Sequence, residues 1–175
     1  MKWQGLIIDG YSRVLELLEP ALADLTQSDL DEMPKPDCNS IGWTTWHLIR
    51  LQDAQIADLI GEEQVYLKDK WYAKFSRKPD AGDTGFGHTS EEVAAFKSPP
   101  RQILLDYYQA TFAQTRHYIT GLSLKDLDRQ LNEPWYQPPP TVGVRIISIM
   151  ADCLQHSGEA AYARGLLKGK GWMDA

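Results

Sequence analysis

Four long stretches of the chain carry apolar residues three and four positions apart, the spacing that places side chains on one face of a helix. The first stretch covers about residues 3–25 and is rich in leucine. The second begins at Asn39 or Ser40, whose side chains can both cap a helix N-terminus, and it ends at Gly61. These two stretches predict the first two helices of the fold.

The second half of the chain adds two further helices. Ser98 and Pro99 fit the N-cap and the first helical position of the third, because the missing N–H of proline is not needed there. Gly121 is expected to end that helix. The fourth is expected from about Val144 to Leu167, after the connection WYQPPPTVGVR, which is too rich in proline for a helix. Strand patterns are almost absent, so an all-α protein is predicted.

The lengths of the connections indicate the architecture. Four helices with one long connection between the second and the third fit a four-helix bundle. Short helices are expected within residues 62–75 and 89–96 of this connection, and residues 77–88 are rich in Gly, Pro and Asp. The loop of about residues 77–98 is longer than most loops in compact domains, so we expect a lid or one wall of a functional site. Residues 1–175 are interpreted as a single domain.

Composition and charge narrow the function classes. Hydrophobic residues make up 43% of the 175 residues and charged residues 24%, which is typical of a globular domain. The formal net charge is -6 and the basic residues are scattered, so no nucleic-acid partner is expected. Apolar runs are too short for a membrane span, and Asp9, Arg13 and Glu16 interrupt the N-terminal apolar stretch. We therefore expect no membrane partner, no signal peptide and a cytoplasmic location.

His47 is the first candidate for chemistry. It lies four residues after Trp43 and four before Leu51, which places it on the apolar face of the second helix. A lone histidine on such a face is most often a core residue whose ring is satisfied by a hydrogen bond. The alternative is a ligand that points into the core, and a second ligand on a facing helix would favour it.

Asp152 and His156 form the second candidate. They are four residues apart on the fourth helix, so their side chains project one turn apart and could reach a single ion. The same row carries Ile149, Glu159 and Ala163, which predicts that it is buried, and a buried carboxylate is costly unless it is paired or bound to a cation. The alternatives are a hydrogen-bonded Asp–His pair or a row that faces solvent.

Together, His47, Asp152 and His156 predict a metal site inside the bundle, because facing helices are where bundles build such sites. Two imidazoles and one carboxylate leave coordination positions open for water or substrate, as in catalytic metal sites. His88 in the long loop could hang over this site as an acid or base, or it could be a solvated loop histidine. His117 is expected at the surface or at a helix C-terminus. Five aromatic residues could line a pocket or form part of the core: Trp43, Trp46, Trp71, Tyr72 and Trp135.

Two segments carry a family resemblance. The stretch CNSIGWTTWHLIRLQD has small residues and a Gly-Trp pair leading into His47. The stretch LQHSGEAAYARGLLKGKGW places His156 at the start of a Leu-rich end terminated by glycines. With the aromatic connection between them, these segments resemble the DinB-like superfamily in order along the whole chain.

The resemblance implies a four-helix bundle that holds a divalent metal, commonly zinc or nickel, on three side chains, here His47, Asp152 and His156. Many members have histidine at the middle position. The mycothiol-dependent maleylpyruvate isomerase-like branch has an acid there, as this chain does. Characterised relatives are thiol-dependent transferases or isomerases that use mycothiol, bacillithiol or glutathione, and they are often dimers, so a homodimer is also expected.

We therefore expect a metal-dependent enzyme that activates a low-molecular-weight thiol for attack on a small electrophilic substrate. Acid or base help would come from His88 or Glu159. Three alternatives stay open at the level of sequence. One is a hydrolase that uses metal-bound hydroxide. The second is a metal-binding stress-response protein without catalysis, and the third is a bundle that has lost its metal.

Overall fold

The structure is a computed structural model that describes residues 2–171 and 173. Trp172, which ends the second resembling segment, lies outside the described residues. The described residues form helices connected by turns and loops, with one isolated bridge between Gln130 and Thr141. In chain order the helices are α1 (Trp3–Leu22), α2 (Gln27–Asp31), α3 (Ile41–Ile60), α4 (Val65–Lys68), α5 (Trp71–Lys74), α6 (Ser90–Ala95), α7 (Arg101–Gly121), α8 (Leu124–Leu127) and α9 (Val142–Lys168).

The four long helices α1, α3, α7 and α9 pack as the predicted bundle. Helix α3 packs against α7 and α9, and α1 packs against the same two helices from the opposite corner. Helices α3 and α9 are antiparallel, because Thr44 shares a surface depression with Ala163, whereas Leu51 shares one with Ser148. The helices that carry His47 and His156 are thus direct neighbours. No helix in the described part of the chain has the length and apolar character needed to cross a lipid bilayer.

One predicted helix start is wrong, and the reason is tertiary. Helix α7 begins at Arg101, with Pro100 as its N-cap residue, rather than at Pro99 after a Ser98 cap. The Ser98 backbone N–H donates instead to the Asp31 carboxylate at 2.8 Å, and its hydroxyl donates to the Pro99 carbonyl at 2.8 Å. The backbone N–H of Ser98 thus contacts α2, and its hydroxyl is engaged by the Pro99 carbonyl instead of capping α7.

Helix α3 is buried on most of its circumference, including several polar residues. Asp53 is one of them, and its carboxylate accepts hydrogen bonds from the backbone N–H groups of Val65 and Tyr66 at 2.9 and 2.7 Å. It also accepts the Tyr107 hydroxyl of α7 at 2.7 Å. Arg50, one turn earlier on α3, lies 3.5 Å from the same carboxylate. This buried network joins α3 to α4 and α7.

Arg50 also fastens the long loop to α3. Its fully buried guanidinium donates to the carbonyl oxygens of Ala81 and Asp83, both at 3.1 Å, and lies 3.8 Å from the centre of the Tyr66 ring. A buried charge is costly unless hydrogen bonds replace the water it has lost. The carbonyls of residues 81–83 supply those bonds, so this part of the loop lies against the helix that carries His47.

Asp53→Ala should destabilise the protein by about 3–5 kcal/mol, because it removes the acceptor of three hydrogen bonds and leaves the Arg50 charge buried without its counterion. Urea unfolding followed by far-ultraviolet circular dichroism measures this loss. Asp58→Ala, on the exposed side of α3, is the matched control and should change the free energy of unfolding by less than about 0.5 kcal/mol. Similar losses in the two variants would contradict the assigned role of the network.

Candidate metal centre

His47 is held in one orientation by the long loop. The residue is 6% exposed, and its Nδ1 lies 2.6 Å from the carbonyl oxygen of Thr84. Because a carbonyl can only accept, Nδ1 carries the proton and Nε2 keeps its lone pair. Trp43 stacks on the ring with centroids 4.7 Å apart and planes 13° apart. The structure therefore shows a hydrogen-bonded core histidine whose other nitrogen is in the form that a metal ligand needs.

The close approach of the loop to His47 requires glycine at position 85. Gly85 has a φ of +86°, and a Cβ added there would lie 2.9 Å from His47 Nδ1 and equally close to a tryptophan ring. Such contacts are shorter than real Cβ atoms make, so a side chain would push the Thr84 carbonyl away from the imidazole. Gly87 also has a positive φ, of +80°, but a Cβ there would meet nothing within 4 Å.

Helix α9 places His156 against His47. The ring centroids are 4.9 Å apart and the planes are nearly perpendicular, at 78°. His156 Nδ1 lies 2.7 Å from a carboxylate oxygen of Glu159, and its Nε2 lies 3.6 Å from Asp152 Oδ1. The structure thus brings together the two histidines that the sequence singles out, and it places one of them between two carboxylates.

Asp152 has one oxygen without a partner. Its side chain is 35% exposed, yet Oδ2 is buried and receives no hydrogen bond within the described residues. A buried carboxylate oxygen without a donor is unfavourable, and a cation is one way to satisfy it. The prediction that the whole row is buried is correct for Ile149 and Ala163 but wrong for Glu159, whose side chain is 56% exposed.

The donor set fits a divalent cation in its chemistry. In both His47 and His156, Nδ1 is hydrogen-bonded to an oxygen atom. Histidines that bind a metal ion through Nε2 usually have this arrangement. Asp152 adds a carboxylate oxygen without a donor. Within residues 2–171 and 173, however, no three His, Cys, Asp or Glu side chains are already arranged around one point as a metal site. Coordination of one ion by all three side chains stays a prediction.

The two imidazoles differ in protonation. Burial lowers the pKa of His47, against the opposing effect of the Thr84 carbonyl, so this ring is neutral at neutral pH. The Asp152 carboxylate raises the pKa of His156 to about 9, with help from Glu159 and against the effect of partial burial, so this ring is protonated. A metal ion at His156 would have to displace a proton.

His88 is packed rather than freely solvated. Its Nδ1 accepts a hydrogen bond from Trp43 Nε1 at 3.2 Å, and its Nε2 lies 3.3 Å from Asp83 Oδ1. The ring also stacks on Trp46, with centroids 5.9 Å apart. Both ring nitrogens have partners, so His88 could exchange a proton with a substrate only after breaking one of these two contacts. His117 is exposed on α7, as predicted.

The aromatic residues that could have lined a pocket belong mostly to the core. Trp43, Trp46 and Trp71 are buried, and Tyr72 is partly buried. Trp135 is 72% exposed. The alternative in which these aromatic residues form the core is therefore confirmed for the three buried tryptophans.

Two residues that shape the site were not predicted from the sequence. Thr84 acts through its backbone carbonyl, which leaves no signal in the side-chain pattern. Gly85 belongs to a glycine-rich segment that indicates a loop, and the segment gave no sign that the glycine faces a histidine more than thirty positions earlier. Both roles depend on the long-range packing of the loop on α3.

Comparison with known proteins agrees with the fold. The family model described as the DinB superfamily matches residues 11–160, a range that includes His47, Asp152 and His156. A solved structure from Enterococcus faecalis, described as the conserved protein of a locus, is 33% identical to this chain and has a TM-score of 0.89. The match covers 97% of this chain and 99% of that chain. No curated protein matches the chain.

Gly85→Ala should cost about 1–3 kcal/mol in unfolding free energy and should shift the tautomer populations of His47, because the added Cβ displaces the loop. Gly87→Ala is the matched control, since it carries the same backbone strain without the contact. Urea unfolding measures stability, and ¹⁵N chemical shifts of the His47 ring report the tautomer. An unchanged ring spectrum in Gly85→Ala would show that the Thr84 contact does not set the tautomer.

The stability of the metal-free protein should fall as pH rises from about 6.5 to about 9. His156 has a folded pKa above its ordinary value, so its contribution is complete below pH 6.5 and is lost as pH rises through about 9. The folded pKa of His47 is lowered, so this residue affects stability at pH values below 6.5. In that lower range its contribution makes stability rise with pH.

Unfolding free energies measured across pH 6–10 test this dependence, and NMR titration of the imidazole protons identifies the group. Glu159→Gln should make the decline in that window shallower, because it removes one of the two carboxylates beside the ring. Glu19→Gln, on an exposed part of α1, should leave the slope unchanged. A slope that is the same in all three proteins would assign the decline to other groups.

Proposed function

The chain belongs to the DinB superfamily, and we propose that it is an enzyme that depends on a divalent metal ion, zinc or nickel, held by His47, Asp152 and His156. The proposed reaction is a transfer or isomerisation in which a low-molecular-weight thiol attacks a small electrophilic substrate. Mycothiol, bacillithiol and glutathione are the candidate thiols. The chemistry of these three side chains is the evidence for the metal ion. The resemblance of the two histidine-bearing segments to thiol-dependent relatives supports the thiol.

The observation that carries the proposal is the pairing of His47 with His156. Their ring centroids are 4.9 Å apart, and each ring uses Nδ1 on an oxygen partner, Thr84 in one case and Glu159 in the other. In both rings Nε2 is the nitrogen left for coordination.

Asp152 would be the third ligand. It lies one turn from His156 on the same helix, and its buried Oδ2, which has no hydrogen-bond donor among the described residues, would be satisfied by a cation. Two imidazoles and one carboxylate leave coordination positions open, as catalytic metal sites do. When bound, the ion would supply Lewis acidity and keep a coordinated thiol deprotonated.

The side chains around the ligands would manage the protons. His156 would release its Nε2 proton on binding the ion, while Glu159 Oε2 continues to hold Nδ1. The second Glu159 oxygen belongs to a side chain that is 56% exposed, so it can receive the proton that the incoming thiol loses and pass it to solvent.

The residues packed around His47 would shield one face and the Nδ1 edge of its imidazole from water. Trp43 covers one face of the imidazole, and Trp43 is itself fixed by its hydrogen bond to His88. The residues from Thr84 to Gly85 close the Nδ1 edge. Water and thiol would therefore approach from the side of Asp152 and Glu159, which are the more exposed members of the site.

Metal analysis of the purified protein tests the metal part. Wild type loaded with zinc and then desalted should retain about one ion per chain, measured by inductively coupled plasma mass spectrometry. His156→Ala and His47→Ala should each weaken binding by more than about 100-fold, because two ligands hold a divalent ion poorly. The exposed His117→Ala is the matched control and should retain the ion.

Circular dichroism of the same variants separates a ligand from a packing residue. The fold should survive His156→Ala, because the apolar faces of the long helices supply most of the stability. If His156→Ala unfolds while metal-free wild type stays folded, His156 is a packing residue and its assignment as a ligand is wrong.

Cobalt substitution tests the thiol part. A thiol that binds the ion as thiolate should add a strong near-ultraviolet charge-transfer band, and its binding should release a proton. A substrate-like electrophile should then be consumed only when thiol is present. A cobalt spectrum unchanged by millimolar thiols, together with ester or amide hydrolysis in their absence, would instead establish a metal-dependent hydrolase.

A further inference from the structure

A groove opens beside the candidate metal centre, between α3 and α9. Leu51 lies one turn after His47, Ser148 lies one turn before Asp152, and both line the groove. Because α3 and α9 are antiparallel, the direction from His47 to Leu51 is the same as the direction from Asp152 to Ser148. The groove has a volume of about 740 Å³, which is within the range of small-molecule sites. It is therefore a continuation of the site along the helix pair.

Two exposed aromatic side chains form walls of this groove. Phe86, from the long loop, is 84% exposed, and Tyr136, from the proline-rich connection, is 54% exposed. Phe86 stands between Gly85 and Gly87, so no adjacent side chain covers it. Next to Tyr136 is the run Pro138–Pro140, whose rings add a flat apolar surface. Exposed apolar surface gathered around one concavity is typical of a binding site.

The described residues that line the groove present no unpaired charge. Of the described residues that line it, Arg145 is the charged one, and its guanidinium is paired with both carboxylate oxygens of Glu133. An anionic ligand would have to compete with Glu133 for this guanidinium. The other polar groups are the amide of Gln55 and the hydroxyls of Tyr136, Thr141 and Ser148. These groups favour an uncharged ligand with a few hydrogen-bonding atoms.

We propose that this groove binds an uncharged small molecule with a flat, apolar, aromatic body, held between Phe86 and Tyr136. Flat aromatic bodies suit these walls because rings stack against aromatic and proline surfaces. The end of the molecule nearest Ser148 points towards Asp152 and His156. That this end is the reacting electrophile rests on the proposed function, whereas binding in the groove requires no metal ion.

Binding of N-phenylnaphthylamine to the metal-free 175-residue chain tests the groove. This uncharged aromatic probe becomes fluorescent in apolar surroundings. Phe86→Ala and Tyr136→Ala should each weaken its binding by about tenfold, because each variant removes one wall. Leu6→Ala is the control: it removes another exposed apolar side chain, 61% exposed, from a separate apolar depression beside α1, and the dissociation constant should not change.

A second measurement tests the orientation. Cobalt-loaded wild type should broaden the NMR signals of the bound probe, because the ion would lie close to one end of it. His156→Ala should keep the probe affinity and lose the broadening. Probe binding that is insensitive to both Phe86→Ala and Tyr136→Ala, or equally sensitive to Leu6→Ala, overturns the groove assignment.

The two proposals fail in different ways. If wild type binds the probe in the groove but retains no metal ion, the proposed function is wrong and the groove assignment stands. If wild type retains the ion but the probe signals are not broadened, the assigned orientation towards Asp152 and His156 is wrong. Broadening together with loss of affinity in Phe86→Ala supports both.

Discussion

The long loop keeps its place because of one buried charge, the guanidinium of Arg50. Water cannot solvate this group, so the carbonyls of Ala81 and Asp83 do so, and the loop must stay against α3. The next residue, Thr84, then reaches His47, which lies one turn before Arg50 on the same helix. The contact between the Thr84 carbonyl and His47 in the candidate metal centre therefore depends on the buried charge of Arg50, a residue outside that centre. Of the two roles expected for the loop, lid or wall, these contacts favour the wall.

The two histidines of the candidate metal centre differ in burial and in protonation. His47 is surrounded by tryptophan and glycine, which keep it neutral and fixed. His156 lies between Asp152 and Glu159, which hold a proton on it. One side of the centre is thus rigid and apolar, and the other is charged and open to solvent. The proposed function would use both sides, because a fixed histidine orients an ion and an exposed carboxylate can pass a proton to solvent.

The sequence predicts the parts of this structure that depend on local periodicity. It predicts the four long helices, the long connection and the positions of His47 and His156 on facing helices, because helical spacing and capping residues are local signals. It does not predict that Ser98 serves α2 instead of capping α7, or that Glu159 faces solvent, because each outcome depends on neighbours distant in the chain. The loop contacts on α3 were missed for the same reason.

The packing order of the helices has a consequence for how the protein is made. More than 100 residues separate His47 from His156, and α9, which carries two of the three proposed ligands, is translated after the other described helices. Until α9 has been translated, a growing chain on the ribosome therefore offers one of the three proposed ligands, His47. Closing such distant contacts is a late and slow event in folding. Capture of the proposed metal ion would thus follow the packing of α9 on α3 rather than start folding.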